Sequence, residues 1–274
     1  MEKATFSFGK NWESYVAESF NQKRLKIAKK SIRDFFGIKD LKGKIFLDVG
    51  CGSGIFSLSA FKLGAKRVIS FDIDPHSVKC CKYLRSKESN PGNWEVYHGS
   101  ALDKTFLAWL PKADIVYAFG VFHHTGKMWE AIENAAGRLK DNGYFYFAIY
   151  NKKTGLRGSK SQLRLKKLYN LSPFIFNKSL EYAVIGSFFL KNILQLKNPF
   201  RIILEKESST LNRGMSFRHD VIDWLGGLPY EFAHPQEIFD FCTKKLNLQL
   251  VNIYIVDERN LLGNNHYLFR KVKA

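Results

Sequence analysis

Short apolar runs alternate with stretches of helical period through the first half of the chain. The runs are Ile45–Val49, Arg67–Asp72, Trp94–His98, Asp114–Phe119 and Tyr144–Tyr150. Between them, segments near 54–64, 75–87, 103–110 and 128–140 repeat apolar residues at the spacing of a helix face. Ahead of them, Trp12, Tyr15, Val16, Phe20, Leu25, Ile27, Ile32 and Phe35 predict one helix over 12–36, closed by Gly37. Strands alternating with helices build βαβ units, so the pattern predicts a doubly wound α/β fold with a mostly parallel sheet covered on both faces.

The rhythm breaks after Asn151. Residues 152–247 hold a basic stretch, an apolar segment, Pro199 and a polar region through Gly226–Gly227. Two strand-like runs follow, Leu248–Asp257 and Asn264–Arg270, around a loop containing Gly263. So long an interruption within one domain reads as a cap over a site. The expected organisation is an N-terminal flap and helix (1–43), a ligand-binding core (44–151), a largely helical, basic cap insertion (152–247) and the last two strands (248–274). The segment Phe174 to Leu196 is interrupted by Asn177, Lys178, Glu181, Lys191 and Asn192, which predicts one or two amphipathic helices rather than a membrane span.

Composition narrows the class. With 45% apolar and 15% aromatic residues over 274 positions, disorder is excluded. Cys51, Cys80, Cys81 and Cys242 form no CxxC pair, and the N-terminus lacks a signal-peptide pattern, so a cytoplasmic setting is expected. The 43 basic against 25 acidic residues give +18, which suits RNA, an anionic membrane surface or a phosphorylated substrate.

The candidate chemistry starts at Ile45-Phe-Leu-Asp-Val-Gly-Cys-Gly-Ser-Gly54, a strand feeding a glycine turn and then a helix. Glycines at 50, 52 and 54 let the backbone turn and approach a ligand closely. Their spacing departs from the dinucleotide fingerprint, and Asp48 just before the turn suits a cationic ligand better than a pyrophosphate. Asp72 ends the next strand, about twenty residues on, where a carboxylate can take both hydroxyls of a ribose. A ribose-bearing ligand with a positive head is S-adenosylmethionine.

Asp48-Val-Gly-Cys-Gly-Ser-Gly54, Ile69-Ser-Phe-Asp72-Ile-Asp74, His98-Gly-Ser-Ala-Leu-Asp103 and Asp114-Ile-Val-Tyr-Ala-Phe-Gly-Val-Phe-His-His124, in that order, resemble the class I S-adenosylmethionine-dependent methyltransferases. The resemblance covers residues 44–150. It implies a seven-stranded sheet with an antiparallel last strand. It puts Gly50, Cys51, Gly52 and Gly54 beside the methionine moiety and Asp48 near its ammonium. Asp72 and Ile73 fall at the ribose, Ser100, Ala101 and Leu102 at the adenine, and Phe119 and Gly120 near the methyl group. The product would be S-adenosylhomocysteine. Asp74, before Pro75, reads as a helix cap.

The fourth strand ends in Phe119-Gly-Val-Phe-His-His124 and lacks the (Asn/Asp/Ser)-Pro-Pro-(Tyr/Phe) tetrapeptide of many amino-group methyltransferases. That departure favours oxygen or carbon acceptors, or small-molecule amines. His123 and His124 have two readings each: a general base, or a ring packed against the cofactor loop. No spaced third ligand accompanies them, so no metal site is expected. In the insertion, His219 is a further candidate base. Arg213, Arg218, Asp220 and Tyr230 are candidate acceptor residues, together with Trp12 and Tyr150; an N-cap at Asp220 and a turn at Gly226–Gly227 are the structural alternative. The start Phe8-Gly-Lys-Asn-Trp12 and Asp223-Trp-Leu-Gly-Gly-Leu-Pro-Tyr-Glu231 resemble methyltransferases related to ubiquinone-biosynthesis O-methylases, of the kind found in surface-polysaccharide and secondary-metabolite clusters.

From Asn142 to Leu180 there is no acidic residue, whereas Lys152, Lys153, Arg157, Lys160, Arg164, Lys166, Lys167 and Lys178 are basic. The leading expectation is O-methylation of a small anionic acceptor, such as a nucleotide-activated sugar or phosphorylated glycan precursor. RNA methylation is a second reading. A third is a membrane-peripheral protein on anionic lipid, either non-catalytic or acting on a lipid-borne, quinol-like acceptor.

Overall fold

The computed structural model describes residues 6–155, 158–211, 215–256 and 263–272. Its first surprise is at the N-terminus, where the expected single helix is two, α1 (Phe8–Glu18) and α2 (Gln22–Phe36). Asn21 causes the break: its backbone is extended and its side chain accepts the Arg24 N–H at 3.0 Å, capping α2. Gly37 then ends α2 with φ +65°.

The core follows the predicted alternation: β1 (Ile45–Val49), α3 (Ile55–Lys62), β2 (Arg67–Asp72), α4 (Pro75–Ser86), β3 (Trp94–His98), α5 (Lys104–Trp109), β4 (Ala113–Phe119), α6 (Met128–Ala136) and β5 (Leu139–Tyr150). β5 starts earlier than the apolar run suggests, because Leu139 pairs with Ala113 ahead of the Asp114 irregularity. The insertion is α7 (Ser159–Leu171), α8 (Phe174–Leu194), α9 (Pro199–Ser208), α10 (Phe217–Gly226) and α11 (Pro235–Asp240). β6 (Leu248–Tyr254) and β7 (Asn264–Lys271) close the sheet.

The strand order is β3-β2-β1-β4-β5-β7-β6. β1 to β5 pair in parallel, and β7 runs antiparallel to both β5 and β6. Strand residues alternate between two cores. Leu47, Val49, Ile69 and Phe71 face α5 and α6, while Phe46, Val68, Tyr117 and Tyr146 face α2 and α3. A third apolar cluster, with Tyr150, Phe217, Val221, Trp224 and Leu225, belongs to the cap. The chain leaves β1 toward β2 and enters β4 on the other side, so a crevice opens at the carboxyl ends of β1 and β4.

Candidate active site

Between β1 and α3 the backbone passes through Gly50 at φ +64° and Gly52 at φ +51°, both in the left-handed region. Neither has room for a side chain. A Cβ on Gly50 would lie 2.6 Å from Val121, and one on Gly52 would lie 3.0 Å from the Trp12 indole nitrogen.

Two acids flank this turn. Asp48 is buried and accepts a hydrogen bond from Ser57 Oγ on α3. Ser57 and Ser70 hydroxyls are 2.7 Å apart, and Trp94 Nε1 donates to Ser70 at 3.0 Å, so a chain of side chains orients Asp48 from behind. Asp72 accepts the Gly52 N–H at 2.9 Å and the Asp74 N–H at 2.8 Å. Burial pushes Asp48 up to about 7 and Asp72 up to about 6, against the pull of these hydrogen bonds. Among the described residues no Lys, Arg or His pairs with either acid. Two buried carboxylates without a cation suit a ligand that brings its own positive charge.

Both face a cavity of about 1040 Å³. Gly50, Cys51, Gly52, Phe119 and Gly120 line one side of it, and Ile73, Ser100, Ala101 and Leu102 another. Ile73 exposes 67% of its surface. Gly54 points away, its Cα packed on Cys81 of α4.

The opposite wall is assembled from the flap and the cap. Asp74 caps α4 through the His76 N–H and also accepts Ser7 Oγ at 3.1 Å and Gly9 N–H at 2.9 Å, which fixes the start of α1. Asn11 Nδ2 donates to Asp223 Oδ1 at 2.7 Å and to the His219 carbonyl at 3.1 Å, tying α1 to α10. Phe6 lies so close to Gly226 that a Cβ there would come within 2.3 Å, and Phe8 meets the His124 ring at 4.7 Å. Flap and cap therefore close together over the glycine turn.

His124 Nδ1 lies 2.7 Å from the Pro229 carbonyl, so Nδ1 carries the proton and Nε2 is left as acceptor. Burial, with the Lys166 charge, lowers His124 to about 3. His123 is fully buried against Tyr150, and neither ring nitrogen has a partner in hydrogen-bond geometry among the described residues. Burial, His124 and Lys166 hold it well below its ordinary value, against a weaker pull from the Ala148 backbone. Lys166 of α7 is itself fully buried, donates to the Trp224 carbonyl, and sits over the rings of Tyr230 (4.8 Å), Trp224 (5.2 Å) and Tyr150 (5.4 Å). Burial lowers it to about 7, and Asp223 works in the other direction.

Residues 47–145 match the family model described as a methyltransferase domain. The fold, the acidic strand ends and this match agree. Residues 47–145 form a methyltransferase domain, set in the fold of the class I S-adenosylmethionine-dependent methyltransferases. Among curated proteins it is similar to the ribosomal protein L11 methyltransferase of Psychrobacter sp. (strain PRwf-1), 42% identical over 86 residues, 31% of this chain and 28% of that relative. The chain thus aligns with less than a third of the length of this relative. Among solved structures it is similar to magnesium protoporphyrin IX methyltransferase from Synechocystis PCC 6803 with bound S-adenosylhomocysteine (12% identity, 96% of this chain and 93% of that one, TM-score 0.56). It is also similar to the N-methyltransferase NodS from Bradyrhizobium japonicum WM9 (10% identity, 97% and 100%, TM-score 0.53). These likenesses at low identity are likenesses of fold. The methyl donor of the family is S-adenosylmethionine.

Trp12, His123, His124, Tyr150 and Asp220 line the same cavity as the turn. Three other sequence candidates do not. His219 packs on Tyr15 with Nε2 3.3 Å from Ser14, because its side chain faces α1 rather than the cavity. Arg218 points outward and reaches Glu18 at 3.3 Å. Tyr230 turns its hydroxyl to Gln162 at 2.8 Å, behind Lys166. Arg213, and Arg157 of the basic run, lie outside the described residues. Asp220 is not a simple cap: no side-chain cap bond forms at α10, and its carboxylate lies 3.4 Å from Lys206 Nζ, with burial raising its pKa.

Sequence reasoning missed Ser57, Ser70 and Lys166. The serines alternate with apolar neighbours on a helix and a strand and carry no signal of their own. Lys166 lies inside a basic run. A periodicity clue did exist, since Ser159, Gln162, Lys166 and Tyr169 form the buried face of α7, but nothing in their polar character distinguishes that face from a solvated one.

Proposed function

We propose that the chain methylates a hydroxyl oxygen of a small, largely apolar acceptor, using S-adenosylmethionine and His124 as general base. The bound cofactor supplies a methyl group on a positively charged sulfonium. Asp48 and Asp72 offset that ligand's positive charge and hold its ribose, while Ser100, Ala101 and Leu102 flank the adenine. His124 takes the hydroxyl proton at Nε2 as the oxygen bonds to the methyl carbon and the sulfonium's carbon–sulfur bond breaks. The wall of Phe8, Tyr150, Met215, Trp224 and Leu228 positions the oxygen and excludes water, and positioning supplies much of the acceleration in such a displacement.

One observation carries the reading: His124, with Nδ1 anchored and Nε2 unprotonated, shares a cavity with the acidic strand ends. The anionic acceptor suggested by net charge has less support. Among the described residues only Lys127 and Lys206 of the Lys and Arg side chains line the cavity, and Lys206 is paired with Asp220. Asp220 and Asp223 line the same wall, and burial raises both carboxyls, Asp223 to about 8, so neither adds a free cation for an anionic acceptor. A lipid-borne, quinol-like acceptor, one of the alternatives read from the sequence, fits better than a nucleotide sugar or RNA.

Calorimetry with S-adenosylmethionine tests the cofactor half; no measurable binding would overturn the proposal. Turnover of labelled cofactor against hydroxylated amphiphiles, nucleotide sugars and bulk RNA tests the acceptor. Transfer to an amphiphile hydroxyl is the expected result, and transfer to nucleotide sugars or RNA alone would overturn that half.

A further inference from the structure

α8 packs its inner face, through Leu180, Val184, Ile185 and Phe188, against the cap cluster. Its outer face is also apolar. Ile175 is 80% exposed, Tyr182 71%, Leu190 59% and Leu194 75%. The exposure continues through Leu196 at the turn into Phe200 and Leu204 of α9. A soluble surface scatters such residues singly; here they form one band along a helix about 30 Å long and across its turn.

The charge beside the α8 part of this band has one sign; on α9 the exposed Glu205 pairs with Arg201 at 2.8 Å. Lys160, Arg164 and Lys167 of α7, with Lys191, Lys197 and Arg201, are exposed beside it. From Ser159 to Arg201 the only acidic residue is Glu181, which is buried and held by Tyr169 and Lys178. Among the described residues no helix is long and apolar enough to cross a membrane. Apolar side chains at both ends of α8, as well as its middle, suit a helix lying flat rather than one inserting its tip.

We propose that the α8–α9 face seats on an anionic lipid bilayer, with its apolar band among the acyl chains and its lysines at the phosphates. Charge complementarity selects this occupant. A second copy of the chain would bring like charges together, and an RNA backbone would leave the apolar band in water. The face also leads to the site. Lys206, at the end of α9, lines the cavity, and so does Leu211 just beyond it, still 38% exposed. An amphiphile leaving the bilayer past Phe200 and Leu204 would enter there, and this last step rests on the function proposed above.

The test is flotation of the full chain at physiological salt with vesicles of phosphatidylcholine alone or mixed equally with phosphatidylglycerol. Two paired variants, Leu190→Ser with Leu194→Ser and Lys191→Glu with Lys197→Glu, change exposed side chains only. The expected result is binding to the mixed vesicles, much weaker binding to the neutral ones, and about a tenfold or greater loss of partitioning in each variant. Melting temperature and cofactor affinity should stay unchanged. A chain that stays with the soluble fraction would overturn the proposal. So would flotation that both variants retain, or a dimer in light scattering that the leucine variant splits. Failure to bind S-adenosylmethionine would instead sink the proposed function and leave the vesicle result standing.

Discussion

A Cβ on Gly227 would lie 2.5 Å from Cε1 of His124 and 2.9 Å from the Asp223 carbonyl oxygen. The missing side chain at the end of α10 is thus what lets the imidazole of the distant 122–124 turn occupy the cavity. Gly227→Ala should displace the ring and lower kcat about a hundredfold, with cofactor affinity retained. Parallel turnover and calorimetry check this; an unchanged kcat would mean that the ring position does not matter.

The two histidines should behave oppositely. His124→Ala is expected to cost on the order of 10²–10⁴ in kcat. His123→Phe keeps the ring volume and removes two nitrogens that have no hydrogen-bond partner among the described residues, so it should retain activity and melt at the same temperature or higher. Loss of turnover in His123→Phe with normal folding would assign the proton transfer to the other ring.

Lys166 and His124 are electrostatically linked, since the lysine charge lowers the imidazole. Lys166 itself titrates near 7. As pH rises through that value the lysine loses its proton and His124 regains basicity, so kcat should climb between about pH 6 and 8. Lys166→Met keeps the volume without the charge and should flatten that climb. Its His124 signal in an NMR titration should move to higher pH. An identical inflection in the variant would dissociate it from Lys166.

Cofactor affinity should fall on acidification. Asp48 and Asp72 take up protons near 7 and 6, and a cationic ligand binds their ionised forms. Lowering the pH from 8 to 6 is expected to weaken binding on the order of tenfold, and Asp48→Asn should weaken it at pH 8 and reduce its pH dependence. For the ligand-free fold the sign is reversed. These acids have raised folded-state pKa values, so the stability they contribute when protonated is lost as pH rises through about 6–7. Asp48→Asn should therefore melt higher than the wild type at pH 8 without ligand. Calorimetry and thermal melting across pH check both signs.

Asp74 holds the flap as well as α4. Asp74→Ala should cost about 1 kcal/mol for the lost cap and expose the segment before Trp12 to protease. Asp74→Asn retains a side-chain acceptor and should restore most of the stability. Limited proteolysis followed by melting separates the two effects.

Much of the core was legible in the sequence, and for a local reason. Ile45–Gly54 contains strand, turn and helix start within one stretch, so hydrophobic alternation and glycine placement specify it without help from distant residues. The break at Asn21 was not legible, because Phe20 and Leu25 keep helical spacing across it while a single cap outweighs the pattern. Arg218 and His219 looked like ligand residues by type, yet α10 turns them toward solvent and α1. Lys166 looked like its solvated neighbours in the basic run.

By itself, then, the sequence determined the sheet, the glycine turn and the two acids of the proposed cofactor half, since each depends on residues close in the chain. Only the tertiary structure decided the wall proposed to hold the acceptor. Phe8, His124 and Tyr150 come from three separate elements, and Trp224 and Gly227 from a fourth, α10 and its end, and their meeting depends on packing between flap, sheet and cap. It also decided the charge states. Burial, which no single segment encodes, leaves His124 unprotonated and brings Lys166 and Asp48 to titrate near neutral pH.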